Sequence, residues 1–87
     1  MVDMWMELEI VTPDGVFYEG RVTMVEFNTT EGEVGIYPGH IPMAMIAAPG
    51  VMTITESEAS KKAELKSGLI EIQKTKVTVL ADNIKWI

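Results

Sequence analysis

Apolar and polar residues alternate along most of this sequence, in short runs separated by turn residues. The alternate positions on one side of residues 4–11 are all apolar: Met4, Met6, Leu8 and Ile10. The other side carries Glu7 and Glu9. Side chains on one face of a β-strand recur every second residue, so this run is predicted to be a strand with one buried face.

The same alternation of apolar and polar residues recurs along the chain as far as residue 81. Further strands are predicted over residues 16–18, 21–28, 33–37, 43–48, 51–55, 69–73 and 77–81, with a break at Glu19-Gly20 between the first two. Turns are predicted at Thr12-Pro13-Asp14-Gly15, Thr29-Thr30-Glu31-Gly32 and Pro49-Gly50, because glycine, proline and aspartate favour turn geometry. Eight to ten short strands with turn signals about every 6–12 residues predict an all-β fold, an antiparallel β-sandwich or barrel.

Residues 56–66 admit two interpretations. Their Glu, Ala, Ser and Lys content suits a short exposed helix, in which Glu58 and Lys62 have the favourable i, i+4 spacing. Alternatively, residues 51–55 pair with residues 63–66 in a hairpin whose tip lies near residues 57–60. The hairpin is preferred, because a marginal helix between two short strands would leave the sheet asymmetric.

Length and composition limit the possibilities further. With 87 residues the chain is predicted to form one domain, residues 1–87, with residues 83–87 as a C-terminal tail. It has no cysteine, which excludes disulfides, thiolate metal sites and a thiol nucleophile. The longest apolar run, residues 41–49, is far shorter than the roughly 20 residues needed to span a bilayer as a helix.

Negative charge is concentrated in the first part of the chain. The net charge is −6, with eight acidic residues and one basic residue in residues 1–50 but five acidic residues and six lysines in residues 51–87. Nucleic acids and anionic lipids require clustered Lys and Arg, so they are not predicted as partners. A solvated acidic surface that keeps a small protein soluble is the simplest interpretation of this bias.

No catalytic, cofactor or metal site is predicted. His40 is the only histidine, and no G-x-S-x-G motif accompanies it. Gly32, Gly35 and Gly39 are not followed by Lys-Ser or Lys-Thr, so they do not form a phosphate-binding loop. The chain is therefore predicted not to be an enzyme.

The segment Thr30-Glu31-Gly32-Glu33-Val34-Gly35-Ile36-Tyr37-Pro38-Gly39-His40-Ile41-Pro42 differs from the rest of the sequence. It combines a turn bearing two carboxylates, a short strand, and a loop that holds an imidazole between two prolines. A stiff loop loses little entropy on docking, which suits a protein interface. An ordinary hairpin and connector would also account for the spacing.

This segment carries a resemblance to a known family. Together with residues 8–15, 48–51 and 77–82, it closely resembles the epsilon subunit of bacterial rotary ATP synthase, over residues 6–82. The resemblance implies a ten-stranded β-sandwich without catalytic residues or cofactors. It also implies a central-stalk rotor subunit that links the gamma subunit to the membrane ring of c subunits and couples proton or sodium transport to ATP synthesis.

The resemblance also implies roles for particular residues. Glu31, Gly32 and Glu33 would face the c ring, with Glu33 meeting its polar loops. Thr12, His40, Pro42 and Met45 would face gamma. The protein would lie on the cytoplasmic side of the bacterial cell membrane as a peripheral subunit, associated with the membrane only through the complex.

The C-terminal region departs from the family pattern. Family members continue beyond the region of Ala81 and Asp82 into a two-helix hairpin that inhibits ATP hydrolysis and in some species binds ATP, whereas this sequence has five further residues. The expectation is a rotor-coupling subunit without the inhibitory and ATP-binding helices. The alternatives are an excised domain of a longer protein, or a free-standing β-sandwich adaptor.

Overall fold

A computed structural model describes residues 4–87, so the first three residues of the predicted domain lie outside the described residues. The described residues form ten strands: β1 (Met6–Thr12), β2 (Gly15–Val22), β3 (Met24–Thr29), β4 (Gly32–Ile36), β5 (Met43–Ala47), β6 (Gly50–Thr55), β7 (Ser60–Leu65), β8 (Gly68–Ile72), β9 (Lys76–Ala81) and β10 (Ile84–Trp86).

The strands form two five-stranded sheets packed face to face. The first sheet has the order β2-β1-β9-β8-β5, and the second has the order β10-β7-β6-β3-β4. This arrangement confirms the predicted β-sandwich of about ten strands. The sandwich is not wholly antiparallel, because β1 and β9 run parallel while the other strand pairs run antiparallel.

The core lies between the sheets and is built from the apolar positions of the alternating runs. Met6, Leu8 and Ile10 of β1 are buried as predicted. Met4 was predicted to share this face, and that prediction is wrong, because Met4 precedes β1 and its side chain is 74% exposed. Phe27 and Ile54 contribute the facing layer from the second sheet.

The predicted break at Glu19-Gly20 is wrong, because β2 continues through it to Val22. Gly20 serves packing here, since a Cβ atom at this position would lie 2.9 Å from the Tyr18 hydroxyl. The chain instead leaves the first sheet at Thr23, whose amide and hydroxyl both donate to the carbonyl of Thr55, at 2.7 and 3.2 Å. Arg21 consequently belongs to β2, and the predicted strand over residues 21–28 is two elements.

The hairpin interpretation of residues 56–66 is confirmed. Strand β6 pairs with β7 from Gly50 opposite Leu65 to Thr55 opposite Ser60. The Glu56 amide donates to the Ala59 carbonyl at 2.7 Å and closes the turn. The partner strand therefore begins at Ser60, three residues before the predicted start.

The C-terminal residues differ from the predicted tail, because residues 84–86 pair with β7 as strand β10. The Trp86 ring stacks on Phe17 of β2 with a centroid separation of 4.6 Å. This contact joins β2 of the first sheet to β10 of the second sheet. A three-residue strand is too short for an alternating pattern to predict it.

Candidate functional site

The acidic turn, residues 29–33, connects β3 and β4 and is ordered by its own hydrogen bonds. The Thr29 hydroxyl donates to the Gly32 carbonyl at 2.8 Å and accepts from the Glu31 amide at 3.2 Å. Gly32 has a φ of 122°, which only glycine adopts readily. Glu31, Gly32 and Glu33 are all exposed, so the turn presents two carboxylates on a preformed backbone.

The turn between β1 and β2, residues 12–15, has the same hydrogen-bond pattern. The Thr12 hydroxyl donates to the Gly15 carbonyl at 3.2 Å and accepts from the Asp14 amide at 3.1 Å. Gly15 has a φ of 125°. Sequence reasoning identified each turn but missed their equivalence, although the shared Thr-x-acid-Gly pattern was a visible signal.

Both turns lie at one end of the sandwich. Strand β1 runs parallel to β9, so Thr12 lies beside the C-terminal end of β9. Ala81 of β9 pairs with Gly68 of β8, and Gly68 pairs with Ala47 of β5, so these residues lie at the same end of the first sheet. The Ala48 amide donates to the Asn28 carbonyl at 2.8 Å, which places the acidic turn at the same end.

This end, here called the turn end, is strongly acidic. It carries four carboxylates and one lysine among the described residues that form its turns: Asp14, Glu31, Glu33, Asp82 and Lys66. A concentration of carboxylates at one end produces a negative potential that attracts a basic partner surface.

The His40 loop, residues 37–42, lies at the opposite end. The Gly39 amide donates to the carbonyl of Lys74, just before the start of β9, at 3.0 Å, and the His40 amide donates to the Tyr37 carbonyl at 3.2 Å. The His40 Nδ1 donates to the Ile41 carbonyl at 2.8 Å. These bonds and the fixed φ of Pro38 and Pro42 hold the loop in one conformation.

The residues predicted to face gamma do not form one compact patch. Thr12 and His40 lie at opposite ends of the first sheet, so they are separated by at least the length of the seven-residue strand β1, about 20 Å. Pro42 directly precedes β5, and Met45 lies at its centre, half-buried. A partner that touches all four residues must extend along the whole first sheet.

The outer face of the first sheet carries a continuous apolar row beside the turn end. Residues paired across all five strands form this row: Val16, Val11, Leu80, Leu69 and Ile46. Their exposures reach 60% at Val16 and 72% at Ile46, the two ends of the row. Contiguous exposed apolar surface of this kind marks protein interfaces. Sequence reasoning missed the row because it depends on strand register.

A polar cluster connects β2 of the first sheet to the β6–β7 hairpin of the second sheet. The Tyr18 hydroxyl donates to Glu56 Oε2 at 2.6 Å, and Lys61 Nζ lies 3.8 Å from the same oxygen. Burial, followed by the hydrogen bond to Glu56 and the charge of that carboxylate, raises the pKa of Tyr18 above its ordinary value. The cluster therefore favours the neutral phenol and ties β2 to the β6–β7 turn.

The raised pKa of Tyr18 predicts a loss of stability at high pH. The neutral phenol's contribution is complete below about pH 10 and declines as the pH rises above that value, because the unfolded chain then releases the proton first. Between pH 8 and pH 11, the free energy of unfolding should fall by about 1 kcal/mol more for the wild-type chain than for Tyr18→Phe. Urea unfolding at both pH values measures this difference, and equal pH dependence in the two proteins would contradict it.

Within residues 4–87, no group of three or more His, Asp or Glu side chains is placed to hold a metal ion. A membrane-spanning helix, judged by length and hydropathy, is not found in the same part of the chain.

Comparisons with known proteins agree on one family. The model of the family described as ATP synthase, Delta/Epsilon chain, beta-sandwich domain matches residues 5–87. The ATP synthase epsilon chain of Alkalihalophilus pseudofirmus is 35% identical over 77 residues, which are 88% of this chain and 58% of that protein. The epsilon chain of Neisseria meningitidis serogroup C is 38% identical over 79 residues, covering 88% of this chain and 56% of the relative.

Solved structures share the fold at low sequence identity. A chain of the Euglena gracilis mitochondrial ATP synthase, in a cryo-EM structure of OSCP/F1/c-ring, superposes with a TM-score of 0.91 at 17% identity, covering 99% of this chain and 56% of that one. A chain of the Tetrahymena thermophila mitochondrial ATP synthase central stalk/c-ring gives a TM-score of 0.80 at 14% identity, covering 98% of this chain and 69% of that one. The chain thus spans a little over half the length of the curated relatives described above.

Proposed function

We infer that this chain serves as a non-catalytic central-stalk subunit of a bacterial ATP synthase. The premise is that the chain belongs to the family of ATP synthase delta/epsilon chain β-sandwich domains. The observation that carries the proposal is the match of almost the whole sandwich to epsilon chains. In this role the subunit links gamma to the c ring and couples proton or sodium transport to ATP synthesis. It is a peripheral subunit on the cytoplasmic side of the cell membrane.

The acidic turn is the proposed contact with the c ring. Its carboxylates are exposed, and its backbone is already ordered by the Thr29 hydroxyl. A preordered turn loses little conformational entropy when it docks. Glu33, at the start of β4, is the residue proposed to meet basic groups on the polar loops of the ring.

The outer side of the first sheet is the proposed contact with gamma. The apolar row crosses this face from Val16 to Ile46. Thr12 lies at one end of the sheet, and the His40 loop lies at the other. A gamma surface that covers this face and both ends of the sheet would reach Thr12, His40 and Pro42. Met45 lies on the inner face of β5, opposite the buried Ile70, and would be reached at the edge of that strand.

Reconstitution tests this role directly. A bacterial synthase stripped of its own epsilon chain should recover proton-driven ATP synthesis when this chain is added, because the sandwich restores the link between gamma and the ring. An unrelated acidic β-sandwich of similar size serves as the control. If the folded chain neither binds gamma nor restores synthesis, the stalk role is wrong and the free-standing adaptor is favoured.

A further inference from the structure

We propose that β5 is a docking edge that accepts an extended segment of a partner chain as an added strand. The segment has apolar side chains at alternate positions and a lysine or arginine beside Glu31. This proposal goes beyond the stalk role, because strand addition is a property of the isolated chain and requires no synthase.

The other three edge strands of the sandwich carry features that prevent pairing. Strand β2 has Glu19 and Arg21 on it and a bulge where the register shifts opposite Ile10 and Val11. Strand β10 has only three residues, one of them Lys85. Strand β4 includes Glu33 and two glycines. Charges, bulges, short length and glycines are the usual means of protecting a sheet edge.

Strand β5 has none of these features. It is the outermost strand of the first sheet, paired on one side with β8 in an uninterrupted register from Met43 to Ala47. All five of its residues are uncharged, and none is glycine or proline. The other side of β5 has no strand neighbour among the described residues. An apolar edge of this kind is a template for a further strand.

Side chains beside β5 define what the added strand must carry. A groove of about 430 Å³ lies between β5 and the acidic turn, lined by Met43, Met45 and Ile46 from β5 and by Val34 and Glu31 opposite them. Met43 and Ile46 are 44% and 72% exposed. Methionine adapts to irregular partner surfaces, so the groove accepts apolar side chains.

Charge favours a different chain over a second copy of this one. Glu31 is the charged residue among those lining the groove, so it complements a basic residue of the partner. Two copies would each bring a net charge of −6, and that repulsion opposes self-association.

A synthetic peptide provides the probe. It is an octapeptide of alternating valine and threonine with one terminal lysine, and its control has the same length and charge but two central prolines. The first peptide should slow amide hydrogen exchange within β5 and leave exchange in β2 unchanged. The proline peptide should have no effect, because proline cannot donate to the ladder.

Two matched variants locate the site. Ile46→Lys should weaken peptide binding about tenfold or more, because it places a charge on the edge next to the incoming strand. Val16→Lys makes the same change at an exposed position on edge strand β2 and should bind the peptide as the wild type does. Ile46→Thr, which keeps a β-branched uncharged side chain, should also bind within about threefold of wild type.

Glu31→Gln tests the charge requirement separately. It should weaken binding of the lysine peptide and leave binding of an uncharged version of the peptide unchanged. Circular dichroism on each variant confirms that it is folded.

Several outcomes would overturn the proposal. These are equal affinity of Ile46→Lys and wild type, equal binding of the proline peptide, and protection appearing on another edge. Sedimentation that shows a dimer abolished by Ile46→Lys would assign β5 to a second copy of the chain and reject the basic partner segment.

Discussion

Replacing Glu31 and Glu33 together by lysine should weaken attachment to a c ring by about 100-fold, because bringing like charges together across an interface costs several kcal/mol. Both side chains are exposed, and neither makes a hydrogen bond or ion pair with another residue among positions 4–87. The fold should therefore survive the change. Binding of reconstituted synthase heads to ring-containing vesicles measures the loss, and ATP synthesis should fall with it.

A second pair of glutamates provides the matched control for this reversal. Glu58 lies in the β6–β7 turn and Glu64 lies on β7, and both are exposed. Changing them to lysine alters the net charge equally but removes only a surface pair with Lys85, which is worth at most about 1 kcal/mol. The proposed ring contact is wrong if the two double variants bind the ring equally well.

Phe27→Ala should remove about 3–5 kcal/mol from the free energy of unfolding. Phe27 is 1% exposed and is among the largest fully buried side chains of the core. A loss of this size is a large part of the 5–15 kcal/mol that typically stabilises a domain, and it should lower Tm by roughly 15–30 °C. Urea unfolding and thermal denaturation measure the effect.

Two substitutions separate a cavity effect from a general effect of mutation. Phe27→Leu keeps most of the buried volume and should cost clearly less, about 1–2 kcal/mol. Val16→Ala, at an exposed position on β2, should cost no more than about 0.5 kcal/mol. Comparable losses in all three variants would mean that Phe27 does not anchor the core. Because β3 leads directly into the acidic turn, amide exchange in that turn should also accelerate in Phe27→Ala.

Short-range pattern was sufficient for most strands and for the hairpin at residues 56–66. Alternation placed Met6, Leu8 and Ile10 in the core, and the structure confirms all three. Glycine was the source of one error, because Gly20 has the appearance of a turn residue in the sequence but accommodates the Tyr18 side chain within a continuous strand. Tyr18 and Gly20 lie two residues apart and therefore share one face of β2, so the error came from assigning Gly20 to a turn and not from a long-range contact.

Only part of the candidate site was predictable from the sequence, because some of its contacts are local and others join distant segments. The exposed acidic turn follows from Thr29, Glu31 and Gly32, whose interactions span three residues. The relation between Thr12 and His40 depends on strand β1 lying beside β9, whose paired residues are 69 positions later in the chain, as Glu7 and Lys76 are. Nothing local in the sequence shows that Thr12 and His40 lie at opposite ends of one sheet, at least the length of β1, about 20 Å, apart.

The sequence by itself determined the all-β class, the inward face of the strands and the chemistry of both turns, because alternation and turn preference act over a few neighbouring residues. Only the tertiary structure decided which strands are neighbours, in which register they pair, and which edge stays open. Those choices come from packing between distant segments. They align Val16 with Ile46 across five strands and leave β5 without an outer partner among the described residues.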